Sequence, residues 1–132
     1  MKDFLELVKT RQSDRSYDPD RAVEAEKLEY ILEAARLAPS ANNAQPWKFV
    51  VVTDPDIRRM AAQATMDKTL GMNKFVMEAP VLIVVVEDSS NLLSILGGAV
   101  KDKHFPHIDL GIAVAHLSLA AAEQGLGSCI LG

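Results

Sequence analysis

The segment from Ile108 to Gln124 most constrains the fold of this chain, because it is apolar on nearly every face of a predicted helix. Gly125 follows it, and glycine is a common residue just past the end of a helix. A helix that is apolar all round must be covered all round. In a chain of 132 residues, one cover is the domain core and we expect the other to be a second subunit. The segment therefore predicts a helical core and a homodimer.

Three further helices are predicted from apolar periodicity and end signals. The first spans residues 2–10. The second spans residues 25–38 and ends before Pro39, because the residue before a proline avoids helical backbone angles. The third begins at Asp54 and Pro55, a capping residue followed by a proline in the first helical position. The inward positions predicted for the second and third helices are Leu28, Ile31, Leu32 and Ala35, and Ile57, Met60, Ala61 and Ala64.

Two short apolar runs predict strands. Trp47–Thr53 is rich in β-branched residues, and Val81–Val86 is continuously apolar, as in a strand covered on both faces. The region 89–107 is poorly defined by its pattern, and we expect it to form loops around a short helix. Together these elements predict an α+β fold in which helices pack around a small sheet.

Composition excludes several classes of function. The chain has 14 Lys and Arg against 18 Asp and Glu, a net charge of −4, which argues against a nucleic-acid-binding protein. Its single cysteine, Cys129, offers no internal disulfide and no cysteine pair for zinc. The start mixes charged with apolar residues, unlike a signal peptide, and the apolar run Leu110–Ala122 is too short to span a bilayer. We therefore expect a cytoplasmic protein that does not bind membranes.

Histidines and serines give no sign of a metal site or a hydrolase. His104, His107 and His116 do not have the spacing of a helical metal-binding pair, and few acidic residues lie near them in the sequence. No serine lies in a nucleophile-elbow pattern. We expect no bound metal.

The segment Arg11–Arg15 is the first candidate for binding chemistry. On an extended backbone, Arg11, Ser13 and Arg15 point to the same side, and two guanidinium groups with a hydroxyl suit a phosphate. The alternative is a solvated turn in which Arg15 pairs with a nearby aspartate, Asp14, Asp18 or Asp20. Spacing alone does not decide between these interpretations.

The Pro39–Pro46 loop is the second candidate. Prolines fix its ends, small residues allow close approach, and Asn42, Asn43 and Gln45 supply amide donors and acceptors suited to the polar edge of a planar ring. The alternative is a structural connection whose amides satisfy their own backbone. The glycine-rich segment 125–132 is the third candidate, and it fits either a close approach to a ligand or the end of a helix followed by a strand.

In order and spacing, these segments resemble the nitroreductase family of FMN-dependent oxidoreductases. The resemblance covers essentially the whole chain. It is carried by Arg11–Tyr17, by the block from Leu28 to Trp47, by Glu78–Pro80, and by Asp109–Ala113 leading to Gly125–Cys129. It favours the binding interpretation of the first two candidates. It also implies an α+β fold with a small, mainly antiparallel sheet, and a homodimer with FMN at the subunit interface.

The resemblance also implies roles for individual residues. Arg11 and Ser13 would contact the phosphate and ribityl chain of FMN, Gln12 would line the pocket, and Arg15 would lie at the pyrimidine edge of the ring. The remaining positions that it implies as flavin-binding are Pro39, Ser40, Ala41 and Asn43 from the other subunit, together with Asn73, Leu131 and Gly132.

The implied activity is the reduction of nitroaromatics, quinones or similar small acceptors with NADH or NADPH, in two half-reactions through the flavin. No acid or base side chain is required, so no catalytic residue is predicted. Residues 1–132 are expected to form one domain that lacks the family's usual C-terminal helix, strand and extension. The alternative is therefore a truncated relic that keeps the fold and binds flavin weakly. Within the poorly defined region, Phe105 is expected to help form the substrate pocket.

Overall fold

The structure is a computed structural model that describes residues 3–66, 69–88 and 105–132. Its helices and strands follow the order expected from the sequence. The helices are α1 (Phe4–Thr10), α2 (Ala25–Arg36), α3 (Pro55–Thr65) and α4 (Phe105–Glu123), and the strands are β1 (Trp47–Val52) and β2 (Leu82–Glu87). Short 3₁₀ helices lie at Ala41–Asn43 and Lys74–Glu78. The predicted α+β fold class is confirmed.

The core lies between α2 and α4. Ile31 of α2 packs against Ala120 and Ala121 of α4, and Leu117 and Leu126 partly cover this cluster. Ala35 and Ala113 are completely buried, one on each helix. The predicted inward face of α2 is therefore confirmed.

The sheet has two antiparallel strands among the residues described. Trp47 of β1 pairs with Glu87 of β2, and Val52 pairs with Leu82 at the other end. Val84 and Val86 are 43% and 41% exposed, so the prediction that the second strand is covered on both faces is wrong for the single chain. The run Val81–Val86 is apolar at every position, so it has no alternation of polar and apolar residues from which an uncovered face could be predicted.

The predicted inward face of α3 is also wrong in part. Ile57 and Met60 are 58% and 70% exposed, whereas Ala62 is buried. The Arg58 side chain donates a hydrogen bond of 2.8 Å to the Pro80 carbonyl just before β2. Because Arg58 and Ala62 lie four residues apart on one face, this bond turns that face inward and leaves the larger apolar side chains outside.

The long helix α4 begins three residues earlier than predicted, at Phe105. With 19 residues and a mean hydropathy of 1.3, it meets the length and composition of a bilayer span, contrary to the expectation from its apolar run. Core helices of soluble proteins can have the same length and composition. Here α4 packs against α2 and buries the polar residues Asp109 and Ser118. Residues 89–104, most of the region expected to form the substrate pocket, lie outside those the structure describes.

Candidate functional site

The Arg11–Arg15 segment lies beside the C-terminal segment Ser128–Gly132. Ser13 and Ser128 form a parallel β-bridge. The Asp14 amide donates to the Ser128 carbonyl at 2.9 Å, and the Ser128 amide donates to Asp14 Oδ2 at 3.1 Å. The fold thus joins two segments, 114 residues apart, that the resemblance places at the same cofactor.

Asp14 connects the parts of this arrangement. In addition to Ser128, its carboxylate accepts a hydrogen bond from Gln12 Nε2 at 3.0 Å, and its carbonyl accepts one from the Tyr17 hydroxyl at 2.7 Å. The contact is so close that a Cβ at Gly127 would lie 2.8 Å from Asp14 Oδ2. The sequence argument considered Asp14 only as an ion-pair partner of Arg15, so this role was missed.

The guanidinium groups of Arg11 and Arg15 have no carboxylate partner among the residues the structure describes. The Arg15 side chain reaches the Ser13 carbonyl at 3.5 Å, which is long for a hydrogen bond. The ion pair of Arg15 with Asp14, Asp18 or Asp20 is therefore not formed, although Arg15 is exposed, as the solvated-turn alternative expects. Arg11 lines an open cavity of about 240 Å³, whose walls also include Thr10, Gln12, Asp14, Ala122 and Gly125–Ser128.

Tyr17 anchors the end of this segment. Its ring centroid lies 6.2 Å from that of Phe75, and its amide reaches Glu78 Oε2 at 3.4 Å. Burial, with smaller contributions from Cys129 and Asp14, raises the pKa of Tyr17 to about 12. Asn73, one of the predicted site residues, immediately precedes the 3₁₀ helix that carries Phe75. Asn73 has a left-handed backbone conformation, and its side-chain Nδ2 donates to the Thr65 carbonyl at 2.9 Å.

The Pro39–Pro46 loop forms a tight turn stabilised mostly by its own groups. Ser40 Oγ accepts from the Gln45 amide at 2.9 Å, and the Gln45 side chain donates to Asn43 Oδ1 at 3.1 Å. Asn42, Asn43 and Gln45 have φ angles of 53°, 52° and 48°, in the left-handed region. The structural interpretation of this loop is therefore correct for the side-chain amides of Asn43 and Gln45, which bond to each other within the loop although both residues are exposed.

Asp109 of α4 is the contact between this loop and the helical core. Its Oδ1 accepts a hydrogen bond of 3.1 Å from the Ala41 amide. Asp109 is 3% exposed, and its Oδ2 is buried without a hydrogen-bond partner. Asp109 belongs to a motif that carries the family resemblance, but its contact with the loop could not be read from the sequence.

Apart from Asn73, which bonds to the Thr65 carbonyl, the predicted site residues form two groups in the single chain. One group is the Arg11–Arg15 segment with the C-terminal segment that contains Leu131 and Gly132. The other is the Pro39–Pro46 loop, attached to α4. Among the residues described, no hydrogen bond or ion pair joins the two groups. The resemblance assigns them to different subunits of a dimer, and their separation within one chain is compatible with that assignment.

Other candidate chemistry gives no site in the part of the chain that the structure describes. There, no group of three or more His, Cys, Asp or Glu side chains could hold a metal ion. Cys129 is half-buried, and its sulfur lies 3.8 Å from the Ile130 carbonyl.

Comparison with known proteins supports the same family. The sequence model of the nitroreductase family matches residues 8–72 and 61–132. An Archaeoglobus fulgidus protein named as an NADH dehydrogenase/NAD(P)H nitroreductase is 35% identical over 136 aligned positions, which cover 100% of this chain and 68% of that protein. Each comparison extends over nearly the whole chain.

Solved structures agree with the sequence comparisons. A nitroreductase family protein from Clostridium novyi superposes with a TM-score of 0.85 at 31% identity, over 99% of this chain and 70% of that one. An FMN-dependent nitroreductase from Clostridium difficile gives a TM-score of 0.74 at 35% identity, over 96% and 64% of the two chains. The chain covers 32%, 68% and 61% of the length of three curated relatives. It belongs to the nitroreductase family and has the nitroreductase fold.

Proposed function

We propose that this chain is an FMN-dependent oxidoreductase that uses NADH or NADPH to reduce nitroaromatics, quinones or similar small acceptors. The proposal includes a cytoplasmic homodimer with FMN between the subunits, and a single domain over residues 1–132. One observation carries it: in a nitroreductase fold, the segment that bears Arg11 and Arg15 lies beside Ser128–Gly132, and neither guanidinium group has a carboxylate partner in the described part of the chain.

The donor set fits a flavin phosphate. Guanidinium groups bind phosphate oxygens through forked, charge-assisted hydrogen bonds. The neighbouring carboxylate of Asp14 accepts from Gln12 and from the Ser128 amide and forms no ion pair with either guanidinium group in the described structure. Arg11 and Arg15 place two positive charges on one short segment of a chain whose net charge is −4, and an anionic ligand would neutralise them.

The residues that would hold FMN follow from this arrangement. Arg11 and Ser13 would bind the phosphate and ribityl chain, with Gln12 in the pocket wall, and Arg15 would lie at the pyrimidine edge of the ring. The other proposed contacts are Leu131, Gly132 and Asn73, with Pro39, Ser40, Ala41 and Asn43 of the second subunit.

When bound, FMN would supply the redox chemistry, with hydride entering from NADH or NADPH and electrons leaving to the acceptor. The contribution of the chain is binding, orientation and electrostatics. The fixed positive charge of Arg15 near the pyrimidine edge favours the anionic, reduced form of a flavin. No side chain of the site is assigned as a general acid or base.

The homodimer is proposed because one face of α4 is exposed in the part of the chain that the structure describes. Ile108 is 57% exposed, and Gly111, Ala115 and His116 are exposed on the same helix. A second α4 would bury this face and bring the Pro39–Pro46 loop of one subunit toward the Arg11–Arg15 segment of the other.

The test is a flavin reconstitution with the purified chain. We expect the protein to retain FMN after desalting, to show the absorbance of bound flavin, and to bleach anaerobically on addition of NADPH. Turnover of a quinone should then follow. A colourless protein that takes up no FMN would refute the proposal, and bound flavin without turnover would support the relic instead.

Arginine variants connect this test to the site. Arg11→Ala and Arg15→Ala should each weaken FMN binding at least about tenfold, since a hydrogen bond to a charged group contributes about 1.5–3 kcal/mol. Arg21→Ala is the matched control, because Arg21 is an exposed arginine outside the two segments. Equal effects of all three substitutions would show a nonspecific influence of charge.

A further inference from the structure

Asp109 is a buried carboxylate in a largely apolar helix, a position that packing of the helix alone does not explain. It is 3% exposed, and among the residues described its Oδ1 accepts from the Ala41 amide at 3.1 Å while its Oδ2 has no hydrogen-bond partner. A buried carboxylate with an unsatisfied oxygen is costly, and an apolar residue of the same size would pack there without that cost. The interaction that accompanies this cost is the bond to the Pro39–Pro46 loop.

The loop needs an external contact because its backbone is strained. Asn42, Asn43 and Gln45 all have positive φ angles, which non-glycine residues adopt at a cost and only when the surroundings hold them. Apart from the bonds within the loop and the bond from the adjacent Trp47 amide to the Gln45 carbonyl, two described hydrogen bonds hold it. The Ala41 amide donates to Asp109 on one side, and the Asp88 amide donates to the Pro46 carbonyl at 2.9 Å on the other. Asp109 is the anchor nearer to Ser40 and Asn43.

We propose that Asp109 is a positioning residue for the flavin site. Its buried carboxylate holds the Ala41 amide and thereby fixes the strained Ser40–Asn43 backbone in the conformation that closes over the flavin. This inference rests on the proposed function, because it assigns the loop to the FMN site. It adds a residue that the family resemblance did not single out as a ligand and that need not touch the flavin.

The first test measures the loop without any flavin. By NMR hydrogen exchange, the Ala41 amide of the wild-type protein should be protected, although it lies in a loop. Asp109→Leu replaces the carboxylate with an apolar side chain. In this variant the Ala41 amide hydrogen should exchange at least about tenfold faster. Asp109→Asn keeps an acceptor oxygen and should retain most of the protection, which also allows the test if the leucine variant does not fold.

Ser118→Ala is the matched control. Ser118 is the other buried polar residue of α4, also 3% exposed, but its hydroxyl donates to the Ala115 carbonyl within the helix. This substitution should leave Ala41 exchange unchanged. A general loosening of α4 would instead accelerate exchange in both variants and would overturn the assignment.

The second test measures FMN binding by flavin fluorescence. Asp109→Leu should weaken FMN binding at least about tenfold, whereas Ser118→Ala and Asp109→Asn should stay within about threefold of the wild type. At saturating FMN, kcat of the leucine variant should remain within about threefold, because Asp109 positions the loop and takes no part in the chemistry.

The outcomes separate this inference from the proposed function. If the wild type takes up no FMN, the proposed function fails, while the exchange pattern still decides whether Asp109 fixes the loop. If FMN binds but Asp109→Leu changes neither Ala41 exchange nor FMN affinity, the inference is wrong and the proposed function stands. An unprotected Ala41 amide in the wild type would also overturn the inference.

Discussion

Replacement of Gly127 by alanine tests the packing between the Arg11–Arg15 segment and the C-terminal segment. The added Cβ would lie 2.8 Å from Asp14 Oδ2 and 3.0 Å from Asp14 Cγ, closer than real Cβ atoms come. The Gly127 φ angle lies outside the left-handed region, so alanine itself fits the backbone. The carboxylate of Asp14 must therefore move, and its hydrogen bonds from the Ser128 amide and from Gln12 are lost or lengthened.

The expected cost follows from these bonds. Loss of one charge-assisted bond to a backbone amide costs about 1.5–3 kcal/mol. Replacement of glycine by alanine at a compatible position returns about 0.4–1 kcal/mol, because the unfolded chain becomes less flexible. Gly127→Ala should therefore lower the free energy of unfolding by roughly 1–2 kcal/mol. It should also weaken FMN binding, because the segment that carries Arg11 and Arg15 loses its alignment.

Urea unfolding of four proteins measures this effect: wild type, Gly127→Ala, Asp14→Ala and the double variant. Because Asp14→Ala removes the carboxylate that the new methyl meets, the cost of Gly127→Ala should shrink by at least about 1 kcal/mol in that background. Gly132→Ala is the control, since a Cβ there meets no atom within 4 Å, and it should change stability by less than about 0.5 kcal/mol. An equal cost of Gly127→Ala in both backgrounds would refute the steric argument.

Two further predictions test the anchor of the segment and the proposed dimer. The pKa of Tyr17 is raised, chiefly by burial, to about 12 from 10.0, so its stabilising contribution is complete below about pH 10 and is lost as the pH rises through about 12. The wild type should therefore lose more stability than Tyr17→Phe between pH 10 and 12 in urea unfolding, and parallel losses would contradict the assignment. Ile108→Glu should shift the dimer toward monomer in sedimentation velocity. Ile57→Glu, at an almost equally exposed isoleucine of α3 (58% against 57%), should not, and a monomeric wild type would refute the dimer.

The elements that carry a strong local signal could be predicted from sequence. The apolar face of α2 around Ile31 and Ala35 is confirmed because a helix with one apolar side has only one stable way to face a core. The start of α3 is confirmed because Asp54 caps it, accepting from the Asp56 and Ile57 amides at 3.0 Å. Local chemistry of this kind does not depend on distant contacts.

Orientations decided by distant contacts could not be predicted. The inward face of α3 depends on the bond from Arg58 to the Pro80 carbonyl, 22 residues away, which no periodicity indicates. The long Arg58 side chain reaches the backbone just before β2. The two larger apolar residues, Ile57 and Met60, were wrongly placed inward for the same reason.

The candidate site divides in the same way. Arg11, Ser13 and Arg15 could be selected from residue chemistry together with the family resemblance. The contact between Asp14 and Ser128 could not be predicted, because it joins residues 114 positions apart. Sequence reasoning missed the roles of the residues that hold binding segments in place. A positioning role can be recognised only when the contacts of the residue are known. These residues are Asp14, Tyr17 and Asp109.

The most direct test of the central claim compares two flavins that differ only in the phosphate. The claim is that the guanidinium groups of Arg11 and Arg15 hold the phosphate of FMN. Titrated into flavin-free protein, FMN should bind at least about tenfold more tightly than riboflavin, and Arg11→Ala should remove most of that difference while leaving riboflavin affinity nearly unchanged. Equal affinity of the wild type for both flavins, or binding of neither, would contradict the account.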